Sequence, residues 1–177
     1  MEETHLFPSK ICSGYFGTRR FDRIRDDSGY LKHVHMISAG GILETSHRTP
    51  NLDYNILMKL TLELTKDYTE IEKLYRLMCF NVFAHNRDDH AKNFSFIYND
   101  KENRWLLSPA YDLTLSSSFG GEYATCINGN GINPDIIDIL EVAKSISFNM
   151  RKAKIIADEI RTIVSDEKLF AKTNIKH

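Results

Sequence analysis

The sequence predicts an α+β fold in which helices dominate. Apolar residues recur at helical spacing through two long stretches, 53–84 and 133–163. Two other stretches, 15–38 and 94–111, are rich in aromatic and β-branched residues and are broken by turn formers. No repeat or low-complexity tract intervenes. At 177 residues the chain is expected to be one domain, 1–177. A chain of this length buries roughly 70% of its unfolded surface, enough for a sizeable core.

Residues 1–14 carry no periodicity and are expected to be irregular. Tyr15 to Ile24 and Tyr30 to Ser38 read as two strands of a hairpin, joined by the turn former Asp26-Asp27-Ser28-Gly29. Gly40-Gly41 ends that pattern. Asp53 is placed to cap a helix whose Tyr54, Leu57, Leu60 and Leu64 share a face. Thr69 and Glu72 have capping-box spacing. Behind them Ile71, Leu74, Tyr75, Met78 and Val82 mark a buried helix ending near Ala84. Phe94, Phe96 and Tyr98 alternate as a strand, Asn99 to Asn103 is a polar turn, and Trp105 to Tyr111 returns as a strand with Pro109 at an edge or bulge. Residues 113–131 form a long loop with a short hairpin over Glu122 to Ile127. Asn133-Pro134 starts a helix with Ile136, Ile139, Leu140 and Ala143 on one face. Asn149 caps a last helix with Ala153, Ile156, Ile160 and Ile163 facing inward. The tail, 171–177, is expected to fray.

A net charge of −1 gives no basic field for direct nucleic-acid binding, although Arg19, Arg20 and Arg23 make a local patch. Cys12, Cys79 and Cys126 are odd in number and far apart, which suits reduced thiols in a cytoplasmic protein. The acidic start Met1-Glu2-Glu3 lacks the apolar region of a signal peptide. No apolar run approaches the ~18 residues of a membrane span.

The stretch with the most chemistry is Asn86-Arg87-Asp88-Asp89-His90-Ala91-Lys92-Asn93, followed by Ala110-Tyr111-Asp112. Asp88 and Asn93 have the separation of the base and metal-binding Asn in a kinase catalytic loop. In phosphoryl transfer one carboxylate takes the proton of the attacking hydroxyl, and an Asn and a second carboxylate hold Mg²⁺ against the phosphates. Asn93 and Asp112 offer hard oxygens of the kind Mg²⁺ prefers. A hairpin over 94–111 would bring them together. Lys92 is a candidate phosphate contact, and His90 a candidate to orient Asp88 or line a nucleotide. Each also has a plain reading: a turn-forming Asn, a capping Asp, a solvated Lys, a packed His.

A rival set is His85, Asp88, Asp89 and His90, whose types suit Zn²⁺, Mn²⁺ or Fe²⁺ in a metal-dependent phosphohydrolase. Asn93 and Lys92 have no place in such a centre. His33 and His35 share a strand face but lack a third ligand. His5, His47 and His177 have no assignment. There is no nucleophile elbow, dinucleotide fingerprint or Walker A sequence.

From Phe80 to Ser95, and again over Leu107-Ser108-Pro109-Ala110-Tyr111-Asp112, the sequence resembles the C-terminal half of HipA-like serine/threonine kinases, toxins of bacterial toxin–antitoxin pairs. Arg20-Phe21-Asp22-Arg23 and His35 to Ala39 also resemble the family, and the likeness spans most of 14–165. It implies a kinase-like C-lobe with small β-hairpins carrying the site loops. It implies Asp88 as catalytic base, His90, Ala91, Lys92 and Asn93 along the nucleotide, and Asn93 and Asp112 on Mg²⁺. Arg19, Arg20 and Phe21 would lie at the hinge near adenine, and Tyr111 beside the nucleotide. The cofactors would be ATP and Mg²⁺, the substrate a protein Ser or Thr, with aminoacyl-tRNA synthetases among the family's targets. A small DNA-binding antitoxin is the usual partner.

Family members carry an N-lobe with a phosphate-covering loop, an autophosphorylated serine and a strand lysine before the hinge. The segment before Arg20 holds no candidate for these. The expectation is therefore a lobe that is inactive alone. Either an N-lobe is supplied in trans, or the chain is a remnant or partner-binding module.

Overall fold

In the computed structural model, which describes residues 3–12, 14–45, 52–116 and 121–166, the chain is mixed α and β. Strand β1 (Thr4–Phe7) pairs antiparallel with β2 (Tyr15–Thr18), and β3 (Arg23–Arg25) with β4 (Leu31–His33). The expectation of an irregular 1–14 is corrected: Thr4 to Phe7 finds its ladder partner in 15–18, a pairing that periodicity within so short a segment does not signal. The strand expected over 15–24 breaks at Asp22. Its carboxylate takes the guanidinium groups of Arg20 and Arg23, and its carbonyl accepts from Val34 N–H. The 26–29 turn forms as expected, with Gly29 at φ 82° donating to Asp26 O.

Strand β5 (Met36–Ser38) leads into the one-turn helix α1 (Ala39–Ile42), whose cap is Ser38. After β6 (Leu52–Asp53) come α2 (Tyr54–Thr65) and α3 (Tyr68–Phe83). Asp53 caps α2 as expected; Tyr54, Leu57, Met58, Thr61 and Thr65 are buried, and Leu60 and Leu64 pack partly buried against the core. Thr61 and Thr65 bury without penalty because their hydroxyls donate to the carbonyls of Leu57 and Thr61, each at 2.8 Å. The cap of α3 is Asp67, which accepts from Thr69 N–H, not the Thr69–Glu72 box.

Helix α3 is central, packed on α2 and, across its other side, on the last helix. Ile71, Leu74, Tyr75, Met78 and Val82 are all buried, as their spacing predicted. Strands β7 (Ser95–Asn99) and β8 (Arg104–Leu107) form a hairpin, and β5 adds antiparallel to β7 to give a three-stranded sheet. Strand β8 stops short of Pro109. Two acids at the start of α3 fix this hairpin. Asp67 pairs with Arg104 at 2.8 Å, and the buried Glu70 accepts Leu107 N–H at 3.0 Å.

Strand β9 (Thr125–Cys126) pairs parallel with β6, not in the hairpin expected over 122–127. The chain turns back just beyond, with a bridge between Ile127 and Asn130 and Tyr123 N–H donating to Gly131 O at 2.7 Å. Helix α4 (Ile136–Ser145) starts at Asp135, which forms a capping box with Asp138, so the start lies two residues after the expected Asn133. Helix α5 (Met150–Ser165) is capped by Asn149 and buries Ala153, Ile156 and Ala157, while Ile163 faces solvent. Phe170, the tail 171–177, His47, His177 and part of the 113–131 loop lie outside the described residues. Among the described residues no helix is long and apolar enough to cross a membrane, and all three cysteines are free thiols.

Candidate functional site

The site loop begins where α3 is stopped. His85 takes a left-handed backbone, φ 53°, so that Asn86 N–H reaches back to Asn81 O at 2.9 Å and His85 N–H to Val82 O. This is the six-to-one closure of a Schellman motif, here without the usual glycine. The chain then leaves the helix as the loop 86–93.

Asp88 lies in that loop with an exposed side chain. Its carbonyl accepts from Asn93 Nδ2 at 2.9 Å, and Asn93 N–H donates to His90 O at 2.8 Å, so the loop closes on itself. The amide nitrogen of Asn93 is thereby engaged and its Oδ1 remains available as a donor atom for a cation. Ala91 is buried against α1: its carbonyl accepts Gly40 N–H at 3.0 Å, and a Cβ at Gly40 would lie 3.4 Å from Ala91 Cβ. Lys92 is exposed and His90 half-buried.

The β7–β8 hairpin carries the chain from this loop to Tyr111 and Asp112. The ladder continues past β8, with Ser108 N–H donating to Ser95 O at 2.8 Å. The Tyr111 hydroxyl stands 2.5 Å from Lys92 O and 2.6 Å from Ser95 Oγ, and so clasps the two ends of the hairpin. Burial pushes the Tyr111 phenol above its ordinary pKa, so it is a neutral donor at physiological pH. Asp112 follows at φ 55°, an uncommon backbone for a residue with a side chain, and its carboxylate is exposed.

The ring of Tyr111 stands 5.7 Å from that of Phe21. Both belong to a cleft of about 210 Å³ lined also by Thr18, Arg19, Arg20, Asp22, Met36 and Ala110. Arg19, Arg20, Phe21 and Tyr111 are thus brought together, although Arg20 is committed to Asp22 through a two-point pair at 2.7 and 2.8 Å. Tyr111 touches both halves of the site: its ring lines the cleft and its hydroxyl holds the loop. A cleft walled by two aromatic rings can take a planar apolar group.

The rival metal set does not assemble. The Asp89 carboxylate faces the interior, where it accepts from Tyr54 Oη at 2.9 Å and Thr125 N–H at 3.1 Å. Among the described residues no three His, Cys, Asp or Glu side chains stand together as a metal cage. His33 ends β4, whereas His35 lies outside the strands with its ring edge-on to Trp105, so they do not share a strand face. Burial pushes the Asp89 carboxyl up to about 8, against the lowering effect of its donors Tyr54 and Thr125. Sequence reading counted Asp89 only as a metal ligand. Nothing local announces that it turns inward, because its partners lie 35 and 36 residues away.

A family model, the HipA-like C-terminal domain, matches residues 1–167. The chain belongs to the HipA-like C-terminal domain family. A curated relative, "Putative kinase Y4mE" of Sinorhizobium fredii (strain NBRC 101917 / NGR234), is 28% identical over 109 residues, covering 56% of this chain and 25% of that protein. Among solved structures, a chain in the Shewanella oneidensis MR-1 toxin–antitoxin complex of HipA, HipB and operator DNA superposes with a TM-score of 0.73 at 14% identity. That match covers 98% of this chain and 45% of the other, so the HipA-like domain described here spans less than half the length of either relative.

Proposed function

We propose that this HipA-like domain is the C-terminal lobe of a protein serine/threonine kinase that transfers the γ-phosphoryl group of Mg-ATP to a protein hydroxyl. The observation that carries the proposal is the double role of Tyr111, whose ring walls the cleft and whose hydroxyl holds the 88–93 loop. In this reading the adenine enters the cleft beside Arg19, Arg20, Phe21 and Tyr111. His90, Ala91, Lys92 and Asn93 follow its phosphates. Asn93 Oδ1 and the Asp112 carboxylate would hold Mg²⁺, which would supply neutralisation of charge developing on the transferred group. Asp88 accepts the proton of the substrate hydroxyl. A carboxylate suffices there, because positioning supplies most of the rate.

The phosphate-covering loop and strand lysine must then come from polypeptide outside these residues, in the same or another chain. A DNA-binding antitoxin in a bacterial cytoplasm is the second partner this reading implies, by analogy with the HipB in the Shewanella complex.

The test is calorimetric titration of the chain with Mg-ATP, beside Asn93→Ala and Asp112→Ala. Binding that weakens at least about tenfold in both variants supports the reading. No binding by the unmodified chain, or binding indifferent to both changes, refutes the nucleotide site.

A further inference from the structure

Four consecutive residues, Asn86 to Asp89, are held through their backbones or buried side chains, while the Asp88 carboxylate is left in solvent. Arg87 O accepts Ala124 N–H at 3.0 Å, and Asp88 O accepts Asn93 Nδ2 at 2.9 Å. The two ends of the stretch, Asn86 and Asp89, run to the same side chain. Asn86 Nδ2 donates to Asn81 Oδ1 at 3.0 Å. Asn81 Nδ2 donates to Tyr54 Oη at 2.9 Å, and Tyr54 Oη donates to Asp89 Oδ2 at 2.9 Å. On its far side Asp89 takes Thr125 N–H on Oδ1, and its carbonyl takes the Thr125 hydroxyl at 2.5 Å. Asn81, Tyr54, Asn86, Asp89 and Thr125 are each at most 2% exposed.

An amide nitrogen only donates, so Tyr54 Oη accepts from Asn81 Nδ2 and shares a second hydrogen bond with Asp89 Oδ2. A buried polar network of this kind is stabilising and specific when every link is made, and costly when one is broken. Simple packing does not require it: a Leu at position 81 and a Phe at position 54 would fill the same helix interface.

We propose that Asn81, with Tyr54 and Asp89, is a positioning set that fixes the Asp88 backbone from both sides and so holds the Asp88 carboxylate out in solvent. Asn81 sits on α3, Tyr54 on α2 and Thr125 on β9, so the loop is referenced to three separate elements rather than to one. None of the three touches a reacting atom. Their effect reaches the chemistry only through the loop, and the inference rests on the kinase reading for the use to which Asp88 is put.

The experiment compares the unmodified chain with Asn81→Leu, Tyr54→Phe and Thr125→Val, and with Ile156→Ala, a core truncation on α5 far from the network. Amide hydrogen exchange is followed by mass spectrometry at a pH where all fold, beside Mg-ATP calorimetry. Exchange in the peptide covering 86–93 is expected to rise at least about tenfold in the three network variants, the equivalent of one broken link of about 1.4 kcal/mol. Peptides from α5 should change no more than global stability dictates. Ile156→Ala should show the reverse pattern. Mg-ATP affinity should fall severalfold in the network variants and not in Ile156→Ala. Should Asn81→Leu fail to fold, Tyr54→Phe and Thr125→Val decide. Loop exchange that tracks global stability equally in all four variants overturns the positioning role. If the unmodified chain binds no Mg-ATP, the kinase reading fails, and the exchange pattern alone then decides whether the loop is held in this way.

Discussion

Glu70 offers the sharpest test of how the fold holds its candidate site. It lies in the first turn of α3, is 1% exposed, and points across to the sheet rather than back to its own helix cap. One oxygen accepts Leu107 N–H at 3.0 Å, and the other takes Lys73 Nζ at 2.7 Å. Replacing Glu70 by Ala leaves the Leu107 N–H buried without a partner, at about 1–3 kcal/mol. It also removes a negative charge from the helix N-terminus, at about 0.3–1 kcal/mol. The Lys73 ammonium is 58% exposed, so that ion pair adds at most ~1 kcal/mol. The expected loss is thus about 1–5 kcal/mol for Ala. Glu70→Gln keeps an acceptor for Leu107 and should lose only about 1 kcal/mol. Urea unfolding monitored by circular dichroism measures both. If Ala and Gln cost the same, the bond to Leu107 carries none of the stability and the account of the anchor is wrong. The loss should also reach the site, because β8 leads directly into Tyr111 and Asp112.

Asp67 caps α3 and pairs with Arg104, and its carboxyl is held down at about 2 by the Thr69 amide first and Arg104 next. Its folded pKa lies below the unfolded ~3.9, so its contribution is complete above about pH 4 and is lost as pH falls through about 2. Asp67→Asn should flatten stability over that acid window in urea titrations, and an unchanged slope would exclude the group. Asp53→Ala removes both the α2 cap and the acceptor of Gly129 N–H at 2.6 Å, and should cost about 1–3 kcal/mol in thermal or urea melts. Met78→Ala empties a fully buried position on α3 and should cost about 2–5 kcal/mol; a loss under ~1 kcal/mol would mean the core collapses around it. Cys12 is exposed, with its thiol pKa lowered by the Ser9 hydroxyl, whereas burial pushes Cys79 up to about 12. A thiol reagent should label Cys12 within minutes and Cys79 only on unfolding, and the reverse order would contradict the packing of α3.

The helices and the site loop were legible because their signals are local. The α3 periodicity ends at Ala84, and the octet begins two residues later. The β7–β8 hairpin was equally legible, since Asn99 to Asn103 is a turn sequence between alternating strands. What escaped was of two kinds. Thr61 and Thr65 bury on α2 by bonding their own helix carbonyls, which apolar periodicity does not register. The β6–β9 pairing, the Thr4–Phe7 ladder and the inward turn of Asp89 depend on partners far along the chain, and no short pattern encodes them. The cap assignments at Asp67 and Asp135 missed by two residues because cap-forming side chains crowd both positions, Asp67 with Thr69 and Asn133 with Asp135.

The parallel register of β6 with β9, Leu52 opposite Thr125, has a consequence in time rather than in space. Parallel strands need a long crossover, and here everything from α2 to the site loop lies within it. The helices α2 and α3 can meet early through local contacts, but Thr125 must arrive before Asp89 has both its donors. Non-local pairings of this kind close late in folding. On refolding, pulse-labelled amides of α3 should therefore gain protection before those of 86–93 and 125–126, and simultaneous protection would argue against that order. During synthesis the loop stays unfinished until the ribosome has delivered residues well beyond it. The site loop is thus finished only after the helices on which it rests.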